Sequence, residues 1–280
     1  MSPNMWLVDT HAHLDDPVFS PDLEQVIARA KETSVTKIIT VGVNLESSRA
    51  AIALAERYAG VFAVVGWHPT DALNAPANFS GLLRQLCNHP RVVGIGETGL
   101  DYHRLLQSKG GGSMDVSTYI RRQKELFVQH LEIAAEKGLS LIIHQRDAFD
   151  DTVHIISEYK GKIKMVFHCF GGDYSQAKKL LDMGAMLSFT GIVTFKNAFT
   201  LRETLRKIPL ESIMLETDAP YLAPEPFRGK RCEPAYLVHT AKRVAEVLGV
   251  PLDVVANRTT ETALEFFEKI GQQCVTKPKH

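Results

Sequence analysis

Two histidines, His11 and His13, stand just beyond the short apolar run Met5–Val8. On an extended segment, residues two apart point to the same side, so both imidazoles aim at one point where a strand stops. Neutral imidazole is the commonest protein ligand for transition metals. Two surface histidines would show the same spacing, so the reading depends on what else the chain places beside them. Glu97, His144, His168 and Asp218 each sit at or just beyond a short apolar run in the same way.

The elements that must position these groups repeat one beat: an apolar run, a chemically active tip, then an amphipathic stretch. The runs are Leu7–Val8, Lys37–Val41, Val61–Gly66, Val92–Gly96, Leu139–Ile143, Ile163–Phe167, Ala185–Phe189 and Ser212–Glu216. Helical spacing is expected over Asp22–Thr33, from Ser47 as N-cap to Tyr58, and over Ser80–Cys87 and Thr118–Lys137, the last stopped by Gly138. Further helices are expected over Tyr174–Met183, Thr200–Lys207, Pro234–Leu248 and Thr260–Ile270. Strands alternating with helices, with no hairpin turn, predict a parallel (β/α)8 TIM-type barrel. An open doubly wound sheet would gather its ligand at one switch point, whereas active tips here follow at least six runs. We expect one barrel domain over 1–280, with its core over about 5–270.

A closed barrel sets the eighth strand beside the first, so Asp218 should neighbour His11 and His13, with Glu97, His144 and His168 on the facing arc. Six such ligands exceed one tetrahedral zinc site and are too few for two closed ones. The natural division is a pair of divalent ions, Mg²⁺, Mn²⁺ or Zn²⁺. His11, His13 and Asp218 would hold one, His144 and His168 the other, and Glu97 would bridge. Such pairs lie ~3.5–4 Å apart and acidify the water between them.

The segments Asp9-Thr10-His11-Ala12-His13, Gly66-Trp67-His68-Pro69, Gly96-Glu97-Thr98-Gly99-Leu100-Asp101, Ile143-His144-Gln145-Arg146, Phe189–Phe195 and Glu216-Thr217-Asp218-Ala219-Pro220-Tyr221 occur in that order. With Arg228-Gly229-Lys230-Arg231 and Glu233-Pro234 they resemble the TatD family of metal-dependent hydrolases, over about residues 5–270. The resemblance implies a metal-dependent deoxyribonuclease, typically a 3′→5′ exonuclease, with ligands at His11, His13, Glu97, His144, His168 and Asp218. The tract His103–Ser117, with its three consecutive glycines, is longer than the family pattern. Cys232 stands where that pattern more often has a polar residue, and we read it as a small reduced side chain.

Asp218 is the expected group to orient or deprotonate the attacking water, and Glu97 acts with it as the bridging ligand. His68 is expected to contact phosphate or leaving group. Arg146 and the run Arg228, Lys230 and Arg231 are expected to meet phosphates. Trp67 and Tyr221 are candidates to stack on a base, and core or wall packing suits them equally. Glu216 and Asp101 are expected to support the site rather than bind metal. Net charge is zero, so a local basic patch should bind single-stranded or frayed DNA ends rather than coat duplex. The competing readings are a metal-dependent hydrolase of a carboxylic ester or amide, such as an aminoacyl-tRNA ester, and a non-catalytic metal scaffold. Scattered cysteines and the lack of a long apolar run predict a cytoplasmic protein with reduced thiols and no membrane contact, expected as a monomer.

Overall fold

A computed structural model of the chain describes residues 5–103 and 115–275. Eight parallel strands run in sequence order: β1 (Leu7–Ala12), β2 (Val35–Val41), β3 (Val61–Val65), β4 (Val92–Asp101), β5 (Ser140–Arg146), β6 (Met165–Phe167), β7 (Met186–Phe189) and β8 (Ile213–Leu215). The sheet curls until its edges meet just past β8. Ala12 bridges Ala219 in parallel, His13 N–H donates to Ala219 O at 2.7 Å and Asp218 N–H donates to His11 O at 2.8 Å. The helices alternating with these strands are α1 (Leu23–Glu32), α2 (Leu45–Arg57), α3 (Phe79–Leu86), α4 (Val116–Lys137), α5 (Phe149–Ser157), α6 (Tyr174–Asp182), α7 (Phe199–Leu205) and α8 (Leu237–Leu248). Two more, α9 (Leu252–Phe266) and α10 (Glu268–Val275), follow. The expected barrel is the observed one.

The strands read as unbroken apolar runs because both of their faces are covered. Val8, Ile39, Val41, Phe62, Val64, Val93, Ile142, Val166 and Met214 pack together inside the barrel. Their neighbours Leu7, Ile38, Val61, Ala63, Leu141, Ile143, Leu187 and Leu215 join the layer beneath the helices. Phe266, Phe267 and Ile270 belong to the interior cluster and stopper its N-terminal end. The stopper is pinned to strand beginnings: Ser140 Oγ donates to Phe266 O at 2.6 Å and Lys269 Nζ to Val92 O at 3.0 Å. A Cβ at Gly94 would stand 3.2 Å from the Phe267 ring, so glycine there lets the stopper seat.

Four local expectations are corrected. Ser47 is not the N-cap of α2; Asn44 is, with its Oδ1 accepting Ser47 N–H at 2.9 Å while Ser47 Oγ accepts Asn44 N–H at 3.0 Å, a capping box. β4 continues past Gly96 to Asp101, with a register break between Ile95 and Thr98, so Glu97 lies within the strand. Helix α5 was not foreseen, although Phe149, Val153 and Ile156 carry its spacing. The last expected helix begins earlier, at Leu252, and divides at Phe267. Most of the glycine-bearing connection 103–117 lies outside the described residues. No described helix is long and apolar enough to cross a membrane.

α4 carries two polar residues on its buried face, Gln123 and His130. His130 is fully buried; its Nδ1–H donates to Leu126 O at 2.6 Å and its Nε2 accepts Trp67 N–H at 3.0 Å. Burial pulls its pKa from 6.5 to about 4. The unfolded chain therefore takes up a proton that the folded one refuses. The resulting stability is complete above pH 6.5 and is lost as pH falls from there toward 4. A shift of this size is worth about 3 kcal/mol at ~1.4 kcal/mol per pKa unit. Urea unfolding at pH 7 and pH 4 should show wild type losing about that much more stability than the non-titrating variant His130→Gln. Parallel losses in the two proteins would refute the assignment.

Candidate metal-binding active site

The C-terminal ends of the strands open into a cavity of about 1450 Å³, lined by His13, His68, Glu97, His144, His168 and Asp218 among others. Glu97 sits at its floor, 3% exposed. Its Oε1 lies 2.7 Å from His144 Nδ1, 2.7 Å from His168 Nε2 and 3.4 Å from His68 Nε2. Its Oε2 lies 3.3 Å from His11 Nε2 and 4.0 Å from His13 Nε2. Asp218 Oδ1 is 3.4 Å from His13 Nε2 and 3.7 Å from His11 Nε2. The six residues proposed as ligands from the sequence thus converge. His68, expected to contact phosphate or leaving group, stands among them.

Hydrogen bonds on the far side of each ring decide which nitrogen offers a lone pair inward. His13 Nδ1–H donates to Val41 O at 2.9 Å, so in the neutral ring Nε2 carries the lone pair that faces Asp218 and Glu97. His144 Nε2–H donates to Asp101 Oδ2 at 3.1 Å, so in the neutral ring Nδ1 carries the lone pair that faces Glu97. His168 Nδ1 faces Glu216 Oε1 at 3.3 Å and presents Nε2 inward. Neither ring nitrogen of buried His11 has a hydrogen-bond partner, and its ring stacks on His168 at 4.2 Å. A buried imidazole in that state, facing two carboxylates, fits a cation between them. His68 is the exception. Its Nδ1 accepts Thr70 N–H at 3.2 Å, so when neutral it carries its proton on Nε2 and points a donor into the cluster.

The electrostatics follow from burial and pairing. Burial opposes the charge on Glu97, yet the imidazoles of His168 and His68 hold its carboxyl well below the usual range. Burial also opposes protonation of His13, but the Asp218 and Glu97 carboxylates carry it up to about 9. His168 is raised against burial by Glu97 and Glu216, and His144 by Asp101 and Glu97. Burial wins only at His68, which is pushed down and kept neutral. Three sets of ligand atoms lie within 4.8 Å of one another: His11, His13 and Asp218; His11, His168 and Glu216; His68, Glu97 and His144. The first is the set expected for one ion. The second and third divide the remaining residues differently from the expected pair of His144 with His168.

Supporting residues appear that the sequence reading missed. Asp9 is completely buried and accepts Thr217 N–H at 2.9 Å and Thr217 Oγ–H at 2.6 Å, fixing the turn that presents Asp218. Gln123 grips the Asp101 peptide from both sides: its Oε1 accepts Asp101 N–H at 2.9 Å and its Nε2–H donates to Asp101 O at 3.0 Å. The available signal was a polar residue on the apolar stripe of α4. Gly99, with φ of +141°, lets β4 pass close to His144; a Cβ there would collide with the His144 carbonyl. Glu216, expected in support, accepts Cys169 N–H at 2.7 Å and Ser188 Oγ–H at 2.6 Å.

The expected phosphate contacts divide. Arg146 is exposed and lines the cavity, whereas Arg228, Lys230 and Arg231 do not. Arg231 is committed elsewhere, to Asp22 at 2.7 Å and Glu233 at 2.8 Å, and lies over the Phe19 ring. Trp67 is 7% exposed, packs edge-on against Phe79 and donates its indole N–H to Asp71 O, so it is a wall residue. Tyr221 is exposed beside the cavity, 6.1 Å from the His13 ring. Cys232 is fully buried, and burial pushes its thiol up.

A parallel barrel with a buried histidine–carboxylate cluster at the C-terminal ends of its strands suits a metal-dependent enzyme. Known proteins agree. The family model for TatD related DNase matches residues 8–268. The metal-dependent hydrolase YabD of Bacillus subtilis is 39% identical, over 93% of this chain and 98% of its own. YcfH of Escherichia coli, also named a metal-dependent hydrolase, is 37% identical over 94% and 96%. The crystal structure of YJJV, a TatD homologue from Escherichia coli, superposes with a TM-score of 0.84 at 28% identity, covering 94% of this chain and 98% of that one. The chain belongs to the TatD-related DNase family.

Because Asp101 fixes the ring of His144, the variant Asp101→Ala should bind a divalent metal about 10–100-fold more weakly. Gln123→Leu should weaken it in the same direction by releasing Asp101. Calorimetric titration with Mn²⁺ or Zn²⁺ reads both; unchanged affinity in Asp101→Ala would show that His144 needs no such support.

Proposed function

We propose that the chain is a divalent-metal-dependent deoxyribonuclease that shortens DNA from its 3′ end. The observation that carries this reading is Glu97, whose two oxygens face separate groups of histidines and so suit a bridge between two ions. The family model, described as TatD related DNase, supports a nucleic-acid substrate. Divalent metal held by His11, His13, Glu97, His144, His168 and Asp218 supplies an acidified water and positive charge to offset the phosphate.

The chain's own groups then have distinct tasks. Asp218 is the carboxylate left partly open to the cavity, with its side chain 14% exposed, and it takes the proton of the attacking water. Burial opposes its charge, but His13 and His11 keep it ionised and able to accept. His68, neutral and protonated on Nε2, donates to a phosphoryl or leaving oxygen. Arg146 contacts a phosphate at the cavity wall. Asp15, Asp16, Asp147, Asp150 and Asp151 also line the cavity. That acidic wall favours a second reading, hydrolysis of a neutral ester or amide.

One assay separates the two readings. Single-stranded DNA labelled at the 3′ or the 5′ end is incubated with Mg²⁺ or Mn²⁺ and with chelator. Metal-dependent stepwise loss from the 3′ end is expected; inertness toward DNA with turnover of esters or amides would establish the second reading. Two variants test the roles. Glu97→Ala should lose both bound metal and hydrolysis. His68→Ala should keep its metal, read by elemental analysis, while kcat falls ~10²–10³-fold, the cost of removing one donor from a developing anion. Metal loss in His68→Ala would make it a ligand instead.

A further inference from the structure

The walls of the cavity mouth differ in charge. Asp15 and Asp16 after β1 and Asp147, Asp150 and Asp151 after β5 face it, although Lys124 pairs with Asp151. The loops after β7 and β8 instead carry cations and exposed aromatic surface. Lys196, Arg228 and Lys230 are all exposed, and among the described residues none forms an ion pair. Arg228 lies over the Phe195 ring at 4.3 Å and Lys230 over Phe227 at 5.9 Å. Phe199, at the start of α7, is 70% exposed.

These residues form one ribbon. Arg202 donates to Phe195 O at 2.7 Å and Lys196 O at 3.2 Å, and its guanidinium backs the Phe199 ring at 5.1 Å. One face of that ring is thereby braced, and the residue as a whole stays largely open to solvent. Glu225 N–H donates to Thr194 Oγ1 at 2.8 Å, tying the loop after β8 to the loop after β7. Ile192 and Leu222 of the same two loops line the cavity, so the ribbon starts at its edge.

Resting on the nuclease reading, we propose that this ribbon is a track for single-stranded nucleic acid, carrying the strand on the far side of the cleaved bond. Along the β1 and β5 walls a polyanion meets mostly carboxylates, Arg146 apart, whereas over β7 and β8 it meets the open ring of Phe199 together with the unpaired cations Lys196, Arg228 and Lys230. Every base has a face that stacks on such a ring, so the track reads length rather than sequence. Phe199 is the stacking platform; Lys196, Arg228 and Lys230 meet successive phosphates. They lie outside the metal cavity, so they act on strand binding and not on the chemical step.

The test compares substrates of increasing length. Wild type with Mn²⁺ should show KM falling from a dinucleotide to an octanucleotide, with bis(4-nitrophenyl) phosphate as the small reference diester. The double variant Phe199→Ala/Lys196→Ala should raise KM for the octanucleotide about tenfold, by loss of one stacked base and one phosphate contact. Its turnover of the small diester should not change. In fluorescence anisotropy without added metal, Arg228→Glu/Lys230→Glu should weaken octanucleotide binding and flatten its salt dependence by about 0.7 per lost contact in log–log slope. Full length dependence and unchanged binding in these variants would overturn the track. So would a polyglutamate peptide binding wild type as tightly as the oligonucleotide. If wild type binds the octanucleotide through these residues but cleaves neither DNA nor the small diester, the nuclease reading falls and the track remains.

Discussion

The site depends on how the barrel closes. Asp9, buried on β1, holds Thr217 by its backbone and its hydroxyl, and Asp218 N–H then bonds back to His11. Asp218 and the two histidines of β1 are thereby one unit, although some two hundred residues separate them in the chain. Burial lifts the Asp9 pKa to about 7, against the hydrogen bonds from Thr217. A carboxyl so placed stabilises only while its partners are in reach, which makes the closure sensitive to any shift between β1 and the turn after β8.

The rings of the cluster are turned by contacts on the side away from its centre. Val41, Asp101 and Glu216 each take the outer face of a histidine and leave its inner nitrogen free. Thr70 does the reverse at His68. In their neutral forms the four rings held from outside, His13, His144, His168 and His68, thus divide into three lone-pair donors and one proton donor, and backbone and carboxylate positions decide which is which. The division is worth more inside a buried site than in water, because unpaired polar groups there are costly.

Much of this was legible in the sequence. Apolar runs ending in His or carboxylate showed both the barrel and the residues that meet in it, because a parallel barrel sends every strand end to one face. What escaped had physical reasons. The stretch Gly96–Asp101 holds two glycines and a single β-branched residue, Thr98, so it does not read as a strand, and its path is set by close approach to β5. Gln123 sits on a helix far from any motif and acts on a peptide bond. Arg231 looked like a phosphate contact because one of its two partners is invisible locally: Asp22 lies 209 positions away and meets it only in the fold. The acidic wall opposite Arg228 likewise exists only once β1 and β5 are brought to one mouth.

The aromatic stopper formed by Phe266 and Phe267 has a consequence for traffic. A barrel plugged at one end is a cul-de-sac, with a single doorway for arrivals and departures. A polymer can put its tip inside but cannot be threaded through. On the nuclease reading, whatever is cut free must back out past the remainder of the strand, so each round ends with a clearance step before the next tip can enter.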